Sequence, residues 1–479
     1  MTHRRTTPTR TAAFLVLGSL IALTAACGHR ADTDELVAAN SKVSEREVSG
    51  ATDGGDAAAP GAVPGGDTIG GTDGSAAATT GGSTTGGATT GGDATGGTAP
   101  GGTTGGEAAP TTPGQTGPIV IGSVGNYSGI AGPPQAPMAR AAQIWAEYIN
   151  SKGGLFGRKV QVILVDDRGD PAQHVAALRD LVENRHVVAF VNNAAALTIA
   201  SGRQYLESAG VPVIGTACAN TTEFESPIMF PQCESVTDFF QRSVQLGVKF
   251  SGQTDYGFFT CTEAQTCTDG FNAVVTNGGA RKSGATVRYS GRGSLAQPDF
   301  TSECGQARSA GVKLMQVVLD PTGVIRFGQS CARQGYNPVF VQGSATVFYQ
   351  TKDQPGFGNL IVTSQVFGFV GTETAARKEF HSVMRTFFGK PPGPGEAYGW
   401  AGAKLLERVA TIAARQAQSI TPKTLIDALH TLKGETLDGL TVPLTFPAGK
   451  AAQPANCAFG GQVQNGEWAP LNNGEPLCG

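Results

Sequence analysis

Residues 118–216 switch repeatedly between short β-branched runs and segments whose apolar positions recur at helical spacing. "PIVIGSV" (118–124) reads as a strand, and "PMARAAQIWAEYIN" (137–150) reads as a helix ended by the glycine pair at 153–154. "KVQVILVDD" (159–167) predicts a strand, after which Asp170-Pro171 caps a helix running to about Asn184. "HVVAFVN" (186–192), "LTIASGRQYLESAG" (197–210) and "VPVIGT" (211–216) continue as strand, helix and strand. Strands separated by helices of this length need crossovers, which makes the sheet parallel.

The pattern resumes further on. Strands are predicted at 254–260, 285–290, 312–320, 338–343 and 359–366, with helices at 269–279, 299–311 and 322–335 between them. Helical stretches follow at about 372–389, 396–415 and 421–431. About 360 residues exceed an ordinary single domain, so the economical architecture is α/β with two doubly wound parallel-sheet lobes. Such sheets bind ligands beyond the carboxyl ends of their strands, and facing lobes form a cleft there.

The N-terminal region follows a different logic. Arg4, Arg5 and Arg10 precede the uncharged apolar run "TAAFLVLGSLIALTAA" (11–26), then Cys27. Sixteen helical residues would span about 24 Å, short of a hydrocarbon core of about 30 Å, so 1–26 reads as an export signal. "LTAAC" resembles the bacterial lipobox, which implies cleavage before Cys27 and a lipid on its sulfur; the plainer alternative is a secretory signal with an incidental cysteine. Residues 27–117 are rich in glycine, threonine and alanine and cannot bury enough surface to offset their ordering entropy. As a flexible leash of roughly ninety residues they would average about 50 Å end to end.

Losing residues 1–26 removes three arginines and no acids, taking the formal charge from −3 to −6. With no basic cluster, no nucleic-acid partner is expected. Beyond Cys27 there are eight cysteines, at 218, 233, 261, 267, 304, 331, 457 and 478. An even set in an exported chain argues for four disulfides; the connectivity stays open, although clustering suggests neighbour pairing. No paired CxxC spacing, P-loop, GxSxG or HExxH occurs, so neither cofactor nor metal is expected and no catalytic constellation is visible.

"IGSVGNYSGIAG" (121–132), "INSKGGLFGRKVQVILVDDRGDP" (149–171) and "VPVIG" (211–215) resemble the branched-chain amino-acid-binding proteins of ABC transporters, which are type I periplasmic binding proteins, here in lipoprotein form. The resemblance extends from about 118 to 479. It implies two α/β lobes joined by three hinge crossovers. Lobe one would comprise 118–236 plus 365–438, and lobe two 237–364 plus 439–479. It implies a lipid-anchored receptor on the outer face of the cell membrane that binds a small polar solute and hands it to permease subunits. A ligand-sensing surface receptor with the same fold is the alternative, and an exported hydrolase is the rival from another class.

Binding residues are then expected at strand ends. Tyr127 and Ser128 follow the first strand. Ala196, Leu197 and Thr198 open a helix, whose N–H groups suit a ligand carboxylate. Ala217, Ala219 and Asn220 follow the fourth strand. Lobe two contributes Glu263, Asp320 and Ser344, with Tyr398 near the second hinge. Asp320 reads either as the partner of a ligand ammonium or as a helix cap before Pro321, and Tyr398 either as a lid or as a packed helix residue. The chain departs from the amino-acid-binding pattern where alanines stand in place of hydroxyl residues, at 194–196 and around Cys218. That leaves amino acids, amides and short carboxylates as candidate solutes.

Overall fold

The computed structural model describes residues 116–453 and 455–478. The expected signal segment, Cys27 and nearly all of the linker lie outside the described residues. From Ile119 onward the chain alternates strand and helix as its pattern dictates. The first half runs β1 (Ile119–Gly125), α1 (Gly132–Ser151), β2 (Val160–Asp166), α2 (Pro171–Glu183), β3 (Ala189–Asn193), α3 (Ile199–Ala209), β4 (Val213–Thr216) and the short β5 (Met229–Phe230). These strands form one parallel sheet in the order β2-β1-β3-β4-β5.

The second half runs α4 (Val236–Ser251), β6 (Asp255–Cys261), α5 (Gln265–Phe271), α6 (Gly279–Lys282), β7 (Thr286–Gly293), α7 (Thr301–Ser309), β8 (Leu314–Val318), α8 (Pro321–Arg333), β9 (Val339–Gly343) and β10 (Ile361–Ser364). Strands β6 to β10 are parallel. The chain then returns to the first sheet through α9 (Ala375–Val383), α10 (Pro394–Ala417), α11 (Pro422–Leu429) and a small pair, β11 (Lys433–Glu435) and β12 (Leu444–Thr445). It finishes with β13 (Cys457–Gln464), β14 (Glu467–Pro470) and β15 (Leu477–Cys478). Of these, β13 adds to β10 antiparallel and carries β14 and β15 as further antiparallel partners.

Local chemistry explains the boundaries. The Asp170 carboxylate accepts from the N–H groups of Ala172 (2.7 Å) and Gln173 (3.0 Å), so the capping reading of this aspartate holds. Helix α1 starts at Gly132, five residues before the predicted Pro137, because Pro133 and Pro134 occupy a first turn that needs no N–H donors. The turn after α1 requires Gly154 at φ +85°, where a Cβ would lie 2.0 Å from the Arg158 carbonyl. The single helix predicted at 269–279 is instead α5 running into a π-helical turn at Asn272–Thr276.

The first sheet is covered on both faces. Leu178, Leu181, Ile199 and Leu206 of α2 and α3 pack on one side, with Phe190 and Val213. Trp145 of α1 and Trp400 of α10 belong to the cluster on the other, with Ile121 and Val191. Helix α10 seats closely: a Cβ at Gly399 would lie 2.2 Å from the Met138 carbonyl, and one at Gly402 would lie 1.9 Å from Asn192 Oδ1. The second sheet has its own core around Phe258, Phe259, Phe300, Phe327 and Phe340. Leu440, Val442, Leu444 and Phe446 are buried with the first-lobe cluster, and the chain rejoins the second sheet at Cys457.

The chain crosses between the sheets three times, near 231–235, 365–369 and 447–456. All eight cysteines beyond Cys27 pair with neighbours: Cys218–Cys233, Cys261–Cys267, Cys304–Cys331 and Cys457–Cys478.

Candidate functional site

Because β1 to β4 are parallel, the loops leaving their carboxyl ends lie along one edge of the first sheet. Buried polar groups tie those loops together. Asp167, just past β2, is fully buried and accepts from Asn126 Nδ2 (2.6 Å), the Thr198 hydroxyl (2.7 Å) and the Gly169 N–H (2.8 Å). His174 Nδ1 lies 2.7 Å from Oδ2, the oxygen that also accepts from Thr198. Burial pushes the Asp167 carboxyl up, but hydrogen bonds from His174, Thr198, Gly169 and Asn126 outweigh it and hold the group below its ordinary value. The Thr198 hydroxyl donates to Asp167, and His174 is fully buried. This arrangement positions loops; it does not present a nucleophile.

The helix opening at α3 is occupied by the protein itself. The Leu197 N–H donates to Asn126 Oδ1 (3.0 Å) and the Ala196 N–H to Gln135 Oε1 (3.2 Å). Asn220 Nδ2 donates to the Ala196 carbonyl (3.3 Å), while its Oδ1 accepts from the Thr222 N–H (2.9 Å) and so caps the following turn. The expected carboxylate cradle thus has the Ala196 and Leu197 N–H groups engaged by side chains and the Thr198 N–H by the Ala195 carbonyl (3.0 Å). The Tyr127 hydroxyl turns back to Ser123 Oγ (2.7 Å), and Ser128 is exposed with its N–H on Asp166 Oδ1 (3.3 Å).

The turn after β4 is organised from below. Ala217 is buried, and Glu223 beneath it accepts from the Thr216 hydroxyl (2.5 Å) and from the Ala219 N–H (3.5 Å). Burial raises the Glu223 carboxyl to about 7, against the lowering effect of these hydrogen bonds.

On the second sheet, Glu263 follows β6 and accepts from the Ser294 hydroxyl (2.6 Å) and the Leu295 N–H (2.9 Å). Asp320 follows β8 and caps α8, accepting from the N–H groups of Thr322 (3.0 Å) and Gly323 (3.3 Å), with Arg326 4.0 Å away. These bonds are those of a helix cap. Arg326 also donates to the Leu295 (2.8 Å) and Gln297 (3.2 Å) carbonyls, so these loops form one rim. Asp320→Ala should lower stability by about 0.5–2 kcal/mol while leaving solute affinity within twofold. A tenfold loss of affinity in calorimetry would reassign Asp320 to the ligand.

Ser344 and Tyr398 meet across the lobes. The Ser344 hydroxyl lies 3.3 Å from the Tyr398 hydroxyl and 3.0 Å from Ser364 Oγ. Tyr398 is fully buried in α10, with its phenol raised to about 12 by that burial. It is a packed helix residue whose polar tip reaches the second crossover. The structure thus groups the predicted residues into a first-lobe rim (Tyr127, Ser128, Ala196, Leu197, Thr198, Ala217, Ala219, Asn220), a second-lobe rim (Glu263, Asp320) and a bridge (Ser344, Tyr398). Sequence reasoning missed Asn126, Gln135, Glu223 and Gln365. For Asn126 the signal was its place in "NYSG" directly after a strand; the others sit in unremarkable helix or loop contexts.

Solved structures share this architecture. A fatty acid ABC transporter substrate-binding protein from Thermomonospora curvata superposes with a TM-score of 0.65 at 17% identity, covering 78% of this chain and 96% of its own. A branched-chain amino acid ABC transporter protein from Thermus thermophilus with bound valine gives 0.66 at 13% identity, covering 76% and 98%. A solute-binding protein from R. palustris in complex with benzoate gives 0.63 at 14%, covering 76% and 98%. An "Amino acid binding protein" from Pseudomonas aeruginosa is 29% identical over 117 residues, 24% of this chain and 31% of that protein; the match thus spans under a third of that curated relative. A family model described as "Periplasmic binding protein" matches residues 118–467, nearly the whole two-lobed region. With two parallel-sheet lobes and three crossovers in that same span, the chain belongs to the periplasmic binding protein family.

Proposed function

We propose that this protein is the extracytoplasmic receptor of an ABC importer, tethered by a lipid on Cys27, that closes on a small solute and passes it unchanged to the permease. The observation that carries this reading is the polar bridge between lobes, Tyr398 to Ser344, which through Gln365 links the loop after β9 to the turn after β4. Lobes hinged on three crossovers can trap a solute without covalent chemistry. The solute is a small carboxylate with an apolar body. Valine, benzoate and fatty acids, named for the structural relatives, share that chemistry. Ala196 and Ala219, both partly exposed, give the first-lobe rim some apolar surface, which favours such a solute over a wholly polar one.

The test is a thermal-shift screen of branched-chain amino acids, benzoates, fatty acids and amides, followed by calorimetry and recovery of the solute. A solute at one hundred times its Kd should stabilise the protein by about 2.7 kcal/mol and be recovered intact. Chemical turnover of the stabilising compound would instead establish the hydrolase reading. Cys27→Ser should abolish lipid labelling; unchanged labelling would refute the anchor.

A further inference from the structure

Cys218 has a left-handed backbone, φ +59°, at the centre of the turn expected to face the solute. A non-glycine residue in that region costs roughly 1 kcal/mol or more and persists only where its surroundings fix it. Three contacts fix it here. Its sulfur is bonded to Cys233 on the first crossover. Its N–H donates to the Thr216 hydroxyl (3.3 Å). Its carbonyl accepts from Gln365 Nε2 (3.2 Å), and Gln365 stands on the second crossover.

Gln365 is 3% exposed, and every polar group of its side chain is used. Nε2 also donates to the Glu234 carbonyl (2.9 Å), joining the first and second crossovers. Oε1 accepts from the Tyr398 hydroxyl (3.1 Å), and the Gln365 N–H donates back to that hydroxyl (3.2 Å). Beyond Tyr398 lies Ser344, which opens the loop after β9. An unbroken chain of contacts therefore runs from the turn at 217–220 in one lobe, through the hinge, to the loop at 344–346 in the other.

We propose that Gln365 is a positioning residue that couples the two solute-facing loops across the hinge, with the Cys218–Cys233 disulfide as the fixed anchor of that coupling. Hinge rotation that moves Tyr398 or Ser344 pulls on the Cys218 carbonyl and so loosens one of the three contacts that hold the turn in its left-handed form. This rests on the reading of both loops as solute-facing. Its test needs no solute, so it fails or stands separately from that reading.

The test is a double-mutant cycle read by amide hydrogen exchange on the full chain, because coupling is demonstrated only by such a cycle. Ser344→Ala in the wild-type background should speed exchange at residues 217–220 several-fold, although the Ser344 hydroxyl bonds to Ser364 and Tyr398 and to none of them. In the Gln365→Leu background the same substitution should leave 217–220 unchanged. Gln365→Glu, which keeps the acceptor for Tyr398 but loses both donors, gives the same readout if the leucine variant fails to fold. The paired substitution Cys304→Ala and Cys331→Ala, confined to α7 and α8, controls for general loss of stability and should leave 217–220 exchange as in wild type. Equal responses to Ser344→Ala with and without Gln365, or no response in wild type, would overturn the proposal.

Discussion

Asp167→Ala is expected to lower stability by about 3–5 kcal/mol, because it strands several buried groups at once. Asn126, Thr198, His174 and the Gly169 N–H all converge on this carboxylate, and the first three are buried and cannot turn to water. The loops after β1, β2 and β3 should loosen together, with faster exchange at Leu197 and Thr198. The folded-state pKa of Asp167 is depressed, so its contribution is present above its unfolded value and is lost as pH falls through the folded one. Asp167→Asn should therefore flatten the acid limb of the stability curve in denaturant titrations run at a series of pH values. Retention of the wild-type acid limb would show that another carboxylate carries it.

Glu223→Gln should change pH dependence in the opposite sense. The folded carboxyl titrates at about 7 against an ordinary value of 4.5, a difference of about 2.5 units or roughly 3 kcal/mol. With the folded pKa raised, the stabilising contribution is complete below about 4.5 and disappears as pH rises through about 7. Glutamine mimics the protonated form, so the variant should be more stable than wild type at pH 8 by up to about 3 kcal/mol and equal to it near pH 4.5. Parallel curves for the two proteins across that range would remove Glu223 as the titrating group. The same residue supports the turn at 217–220, so the variant also reports whether that turn tolerates a neutral partner.

Much of the fold was legible because its strands are short β-branched runs punctuated by helices with strong caps. Asp170-Pro171 and the glycine turn at 153–157 announced their structures through chemistry local to a few residues. The C-terminal strands were not legible: "CAFGGQVQ" carries no alternation, and its place beside β10 is set by antiparallel pairing to a strand about a hundred residues earlier. The site was legible only as strand ends. Tyr127, Thr198, Asn220 and Asp320 were singled out as polar groups in the right places, but what each bonds is decided by residues distant in sequence. The Thr198 hydroxyl faces Asp167, thirty-one positions earlier, and Gln365 reaches Cys218 across 147. Neighbour pairing of the cysteines was readable because each pair closes a short local loop.

Lobe closure is measured most directly by the distance between fluorophores placed through non-natural residues at the exposed positions Glu147 and Arg281, one on each lobe. With a carboxylate solute that raises the melting temperature, the distribution should shift to shorter distances and return when the solute is washed out chemically unaltered. A distribution that stays fixed with every stabilising solute, or a solute recovered as product, would contradict a hinged receptor.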